Sequence, residues 1–178
     1  MTGSSGILRS AATGQRTDVE RNNDSPLLVP RMQGNLAAIG KMLEKGKDVN
    51  APVDRGGRLP LAVAAGNRRA DVVRLLLDSG ADVLLADKQG HTALHIAAQE
   101  NSLEVCRMLV EAGASLDARD AYGSTPLAKA VSTSKGRGEV ITYLLSAGAD
   151  PDIRNSHGIS AKALAALITT HDVSRFFP

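Results

Sequence analysis

Aromatic residues and cysteine are scarce in this chain. Its 178 residues include no Trp, two Phe, two Tyr and a single Cys. Leu, Val, Ile and Ala must therefore fill the core, and an alanine-rich, aromatic-poor composition favours close helix packing over a β-sandwich or barrel. One cysteine cannot form an internal disulfide, which excludes a disulfide-stapled secreted scaffold. We therefore expect a protein of a reducing compartment, the cytoplasm.

Long apolar runs and a strong net charge are also missing. No run approaches the ~18 apolar residues that a membrane span needs. The 21 basic and 19 acidic side chains leave a net charge of +2, which is too small to indicate nucleic acid without clustering. Neither a membrane nor nucleic acid is therefore the expected partner.

The first 25 residues differ in composition from the rest. Ser, Thr, Gly and Arg dominate up to Asn23, without apolar periodicity, which is typical of a flexible tail. Ile7 and Leu8 alone are too short for the apolar region of a secretory signal. The absence of acids before Asp18 leaves an organellar transit peptide as an alternative.

The remainder is built from repeats. The segments DRGGRLPLAVAA, DKQGHTALHIAA and DAYGSTPLAKAV start at Asp54, Asp87 and Asp120, 33 residues apart, and align without gaps. A related segment, NSHGISAKALAA, follows the third after a slightly longer interval. The endings LLLDSGAD, MLVEAGAS and YLLSAGAD repeat as well. A fixed period of this length indicates a solenoid, in which neighbouring units share one core.

Each unit predicts a turn followed by two helices. An Asp with a Gly three residues later is typical of a turn. Thr92 and Thr125 are suited to cap the first helix, and Pro60 and Pro126 to occupy its first turn, where no N–H is needed. The second helix has apolar spacing and ends at a glycine suited to a left-handed cap. These glycines are Gly80, Gly113 and Gly148.

The motif TALHIAA at Thr92–Ala98 and the ending LLDSGADV resemble the ankyrin repeat family. The resemblance implies an all-α solenoid of helix-turn-helix units with β-hairpin fingers, about five repeats including degenerate end caps. The expected repeat domain covers 26–178, with a tail over 1–25. Its units are expected at 26–53, 54–86, 87–119, 120–154 and 155–177. In the first unit, only the second helix is clear, over Asn35–Lys45.

Three features depart from the family pattern or add to it. Leu59 replaces the capping Thr, and Arg68-Arg69 stands where the family usually has Gly-His. Two extra residues in STSKGRG, over 132–138, lengthen a loop that is either a recognition element or a tolerated surface insertion. The resemblance implies that His95 makes a structural hydrogen bond between neighbouring units.

Catalytic and metal-binding signatures are absent from the sequence. The four histidines have no HExxH or HxH spacing, and one Cys cannot build a zinc site. Cys106 occupies the place of Val73 in the preceding unit, which predicts a buried packing residue. The Gly-Arg-Gly at 136–138 lacks the Lys-Ser/Thr of a phosphate loop. We therefore predict no enzyme activity, no metal and no cofactor.

The resemblance implies that the hairpin fingers and first helices form a concave groove that binds another protein. The variable positions of that groove are candidate binding residues. They are Arg55, Arg58, Asn67, Lys88, Gln89, His91, Gln99, Glu100, Tyr122, Ser124 and His157.

A non-enzymatic binding module is therefore the first functional hypothesis. Tyr122 at a finger tip is its expected anchor, because Tyr and Arg are enriched at binding hot spots. Arg55, Arg58 and Lys88 fit a partner with an acidic surface. The C-terminal segment 149–177 is similar to the closing repeat of small bacterial ankyrin proteins, some of which are immunity or accessory factors. This implies an inhibitor or an immunity or accessory factor. We expect the chain to be a monomer when unbound.

Two alternatives remain from the sequence. The basic early fingers suit nucleic acid, although the near-neutral charge and few aromatics for base stacking oppose it. The chain is alternatively a regulatory fragment whose groove serves another domain.

Overall fold

A computed structural model describes residues 45–177. Within this range the chain forms seven α-helices and one short 3-10 helix, and its strand pairing is limited to two isolated bridges, Ala86–Thr92 and Arg154–Ser160. The helices are α1 (Pro60–Gly66), α2 (Ala70–Asp78), α3 (Ala93–Gln99), α4 (Leu103–Glu111), α5 (Pro126–Thr133), α6 (Glu139–Ser146), α7 (Ala161–Leu167) and the 3-10 helix Ser174–Phe176. The expected tail over 1–25 and most of the helix expected over Asn35–Lys45 lie outside the described residues.

The first helices α3 and α5 begin at the predicted threonine caps. The Thr92 hydroxyl accepts a hydrogen bond from the His95 N–H at 3.4 Å, and the Thr125 hydroxyl accepts one from the Ala128 N–H at 3.3 Å. Leu59 makes no such bond, and α1 begins instead with Pro60, whose missing N–H is no loss at that position. The capping predictions are therefore confirmed.

The second helix of each complete pair ends as predicted. Gly80, Gly113 and Gly148 follow α2, α4 and α6 with φ of +84°, +91° and +101°. Only glycine adopts this left-handed conformation without steric cost. Each helix therefore stops at the same point, and the chain turns toward the next unit.

Helix pairs stack into two rows. The first helices α1, α3, α5 and α7 contact one another in succession, and the second helices α2, α4 and α6 form a parallel outer row. The inner row is packed through small side chains at equivalent positions, since Ala64, Ala97 and Ala130 are all at most 1% exposed. Leucines fill the space between the rows, as Leu94 and Leu127 show with no exposed surface. The predicted all-α repeat solenoid is confirmed. Along the described chain, no helix has both the length and the apolar character to cross a membrane.

The loop between the two helices of a unit requires one residue with positive φ. Arg68 and Asn101 occupy equivalent places, both with φ of +55°, and Lys135 has φ of +49° in the lengthened loop. Asn tolerates this region because its short side chain bonds locally, whereas a long side chain there is strained. Arg68 is also exposed, so the strain at this position is not offset by packing.

We predict that Arg68→Gly stabilises the protein by about 0.5–1 kcal/mol. Glycine removes the left-handed penalty of about 1–2 kcal/mol, and part of this gain is lost to the greater entropy of the unfolded chain. The free energy of unfolding is to be measured from urea denaturation followed by circular dichroism.

The matched control is Asn67→Gly, one residue earlier. Asn67 is exposed and has φ of −86°, so glycine there relieves no strain and is expected to destabilise by about 0.5–1 kcal/mol. Equal effects of the two substitutions would show that Arg68 is not strained.

Candidate functional site

Within residues 45–177, four hairpin fingers project from the stack, at 54–58, 87–91, 120–124 and 155–159. Each begins with an Asp or Asn whose side chain closes the turn. The Asp87 Oδ1 accepts hydrogen bonds from the backbone N–H groups of Gln89 at 2.8 Å and His91 at 2.9 Å. Asp120 and Asn155 accept the same pair of bonds from the residues two and four positions later. The fingers therefore share one internally braced geometry.

Neighbouring fingers are joined through their backbones. In each case an N–H of one finger donates to a carbonyl of the preceding finger. The bonds run from Lys88 to Gly56 at 3.2 Å, from Ala121 to Gln89 at 2.8 Å, and from Ser156 to Tyr122 at 2.8 Å. The finger tips therefore form a continuous strip rather than separate loops.

Behind the fingers, His95 connects two units. Its Nε2 lies 3.0 Å from the carbonyl oxygen of Ser124 in the following unit and donates to it. Its Nδ1 must then accept, and it lies 2.9 Å from the hydroxyl and 3.2 Å from the N–H of Thr92. Burial lowers the pKa of His95 and so favours the neutral ring, while the Ser124 carbonyl at Nε2 selects the tautomer. The structural hydrogen bond expected between units is confirmed.

A buried charge cluster supports finger 120–124. The Asp120 side chain has no exposed surface and forms an ion pair with the Lys129 ammonium at 2.8 Å. Burial alone would raise the pKa of the Asp120 carboxyl, but hydrogen bonds from Lys129 and from backbone N–H groups outweigh it and lower the pKa. His91 lies between the carboxylates of Asp87 and Asp120, 3.5 Å from each. Only 15% of the His91 side chain is exposed, so this candidate binding residue presents one edge to solvent.

The structure brings four candidate residues together around Arg58. A cleft of about 300 Å³ between the first two fingers is lined by Arg58, Lys88 and Gln89, and an adjoining cleft of about 230 Å³ is lined by Arg58 and Asn67. The Arg58 guanidinium also forms an ion pair with Asp54, 2.5 Å away. This exposed ion pair neutralises part of the Arg58 charge and contributes little stability.

The remaining candidates vary in exposure. Tyr122 is 60% exposed, so most of its surface is open to solvent. Arg55, Gln99 and His157 are exposed, whereas Glu100 and Ser124 are half-buried. None of these six candidates lines the two clefts around Arg58; they are Arg55, Gln99, Glu100, Tyr122, Ser124 and His157.

Sequence reasoning missed the role of Lys129. Lys129 lies on α5, nine residues after Asp120, and no periodic pattern marks it as the partner of a buried carboxylate.

Sequence reasoning correctly predicted that Cys106 is buried. Burial raises the pKa of the Cys106 thiol to about 12. Among residues 45–177, no three His, Cys, Asp or Glu side chains are placed to hold a metal ion.

Comparison with protein families gives two overlapping matches, both described as ankyrin repeats. A three-copy model matches residues 80–155, and a many-copy model matches residues 42–97. Together the two matches cover most of the chain and the fingers 54–58, 87–91 and 120–124.

Curated proteins are similar to this chain over only part of their own length. Mouse 2-5A-dependent ribonuclease is 43% identical over 40% of this chain, and human mitochondrial disaggregase is 42% identical over 37%. Zygote-specific protein 3 of Chlamydomonas reinhardtii is 37% identical over 75%. These matches span 10%, 9% and 26% of the respective relatives, so most of each relative has no counterpart in this chain.

The buried neutral His95 predicts a pH-dependent stability. The pKa is lower in the folded state than the ordinary 6.5 of the unfolded chain, so the unfolded state takes up a proton first as pH falls. We expect the free energy of unfolding to be fully developed above about pH 6.5 and to decrease as pH falls below that value toward the lowered pKa. Urea denaturation at several pH values between 5 and 8 measures this.

His95→Gln is the matched variant, because it keeps a polar side chain but does not titrate. We expect it to be less stable than the wild type by about 1–3 kcal/mol at pH 7.5. This difference in stability should become smaller toward pH 5, because the wild type loses stability there and position 95 of the variant does not titrate. Parallel curves for the two proteins would assign the pH dependence to other groups.

Proposed function

Because the chain belongs to the ankyrin repeat family, whose repeats are generally protein–protein interaction modules and are typically non-catalytic, we propose that it binds a partner protein through its concave finger surface. The binding residues proposed are those of the fingers and of the adjoining ends of α1 and α3. Arg58, Lys88 and Tyr122 are the proposed anchors.

The observation that carries this proposal is the hydrogen-bonded strip of finger tips. Every tip is closed by its own Asp or Asn side chain. The fingers 87–91, 120–124 and 155–159 are each tied to the preceding tip. A surface that is already ordered loses little conformational entropy when a partner binds. Tyr122 stands on this strip with its backbone held at both N–H and carbonyl, so the point from which its exposed side chain projects is fixed.

The charges of the fingers support an acidic partner surface. Arg55 and Lys88 are exposed, and among the described residues neither lies within ion-pairing distance of a carboxylate. The acidic groups of the same fingers, Asp54 and Asp87, are occupied in closing turns or pairing with neighbours. Opposite charge on a partner would steer its approach and orientation.

We further propose that the chain acts as a cytoplasmic monomer that inhibits or accompanies its partner. The similarity of its final repeat to small bacterial ankyrin proteins supports this role. Neither ribonuclease nor disaggregase activity is proposed, because the two relatives so named match over about a tenth of their own length.

A pull-down from source lysate with mass spectrometry tests the finger surface. The full chain is compared with a quadruple variant carrying Arg55→Ala, Arg58→Ala, Lys88→Ala and Tyr122→Ala. We expect one protein to be captured by the wild type and its recovery to fall at least ~10-fold with the variant, since anchors of this kind contribute more than ~1 kcal/mol each.

The control variant carries Arg74→Ala and Lys135→Ala, which remove two exposed cations outside the fingers. It is expected to capture the same protein as the wild type, and circular dichroism checks that both variants are folded. Capture that survives the quadruple variant would reject the finger surface, and recovery abolished by nuclease would indicate nucleic acid instead.

A further inference from the structure

A larger cleft lies away from the fingers. It has a volume of about 660 Å³ and is bounded by α4, α6, the lengthened loop and the 3-10 helix Ser174–Phe176. No residue of the four fingers lines it. It is therefore separate from the surface proposed to bind the partner above.

Three arginines line this cleft. Arg107 comes from α4, Arg137 from the lengthened loop and Arg175 from the 3-10 helix, and all three are exposed. Glu139 is the acidic residue among the lining side chains of the described chain. Segments far apart in sequence thus contribute a local excess of positive charge.

Two of the guanidinium groups are placed over aromatic rings. Arg107 lies 5.4 Å from the centre of the Tyr143 ring, and Arg175 lies 4.8 Å from the centre of the Phe176 ring. Cation–π contacts of this kind orient a guanidinium and leave its N–H edge available. A carboxylate can accept two parallel hydrogen bonds from such an edge.

The cleft arginines differ from several other basic residues of the described chain in having no ion-pair partner. Arg58, Arg69 and Lys129 form ion pairs with carboxylates. Within the described residues, by contrast, no carboxylate lies within 4.0 Å of Arg107, Arg137 or Arg175 in an ion pair. No direct ion pair therefore neutralises these three guanidinium groups, and Glu139 leaves the cleft lining with an excess of positive charge.

Gly138 allows the C-terminal segment to form one wall of the cleft. The ring of Phe176 lies so close to the Gly138 Cα that a Cβ added there would overlap it. Glycine is therefore needed at the end of the lengthened loop if this ring is to pack against the loop. The loop thus has a structural connection to the cleft that a simple surface insertion would not need.

We infer that this cleft binds an acidic peptide segment of a partner protein, with carboxylates on the three arginines and an apolar side chain against Leu103 and Phe176. An open cleft of this volume suits consecutive side chains of an extended peptide, whereas small-molecule sites enclose most of the ligand surface. The local charge excess is small for the counterion-driven binding of nucleic acid. This site is independent of the proposed finger surface.

The test is a selection of random 12-residue peptides on phage against the full chain. Individual peptides are then measured by fluorescence anisotropy at physiological salt. We expect enrichment of peptides that combine Asp or Glu with an aromatic or aliphatic residue. The variant carrying Arg107→Gln, Arg137→Gln and Arg175→Gln is expected to bind them at least ~10-fold more weakly, which corresponds to ~1.4 kcal/mol.

Two further variants separate position from charge. The first is a triple variant that carries Arg107→Lys, Arg137→Lys and Arg175→Lys. It keeps the positive charge but loses the paired hydrogen bonds of the guanidinium groups, and it is expected to bind the peptides about threefold more weakly. Gly138→Ala keeps all three arginines and moves the Phe176 ring, so it is also expected to weaken binding. The quadruple finger variant is expected to bind the peptides like the wild type.

Three results would overturn the inference. If the selection does not enrich acidic peptides, they are excluded as the ligand class. If the triple Gln variant binds the selected peptides as tightly as the wild type, the cleft is excluded as their binding site. The third result concerns a single-stranded oligonucleotide that displaces the peptides. If the three Gln substitutions weaken its binding more than they weaken peptide binding, the cleft is assigned to nucleic acid.

Discussion

The contact between successive units is the constraint on which this structure depends. A pair of helices of seven to nine residues is too short to bury its apolar face alone, so each pair uses its neighbours as the rest of its core. Alanine at equivalent positions of the inner row lets the helices approach closely. His95 adds a directional bond from one unit to the backbone of the next, and the fingers add one more at each tip. Stacking thus fixes both the core and the surface.

Two surfaces with different origins follow from this stacking. The finger surface arises from the repeat itself, because every unit contributes an equivalent tip. The arginine-lined cleft arises where the repeat is interrupted, at the lengthened loop and the closing 3-10 helix. The two surfaces share no lining residue among the four fingers, so each can be altered without changing the other.

Much of the fold could be predicted from the sequence because its signals are local and repeated. Thr92 and Thr125 cap helices, the glycines at 80, 113 and 148 end them, and each requires only its own neighbours. The exposure of Tyr122 follows from its place in a finger. The pairing of Lys129 with Asp120 could not be predicted, because it depends on how a helix packs behind a finger. The arginine-lined cleft was missed for the same reason, since three separate segments form it. The strain at Arg68 becomes visible only in its φ.

Hydrogen exchange followed by NMR on Asp120→Ala tests most directly whether the units act as one connected stack. Asp120→Asn is the comparison, because it retains an oxygen for the turn but loses the ion pair with Lys129. The account predicts that Asp120→Ala lowers protection at least ~10-fold, or ~1.4 kcal/mol, not only at Tyr122 and Ser124 but also at Ala121 and Ser156, which join neighbouring fingers. Asp120→Asn should give a smaller loss at the same amides. Loss confined to Tyr122 and Ser124 would contradict the account, because the fingers would then be independent turns.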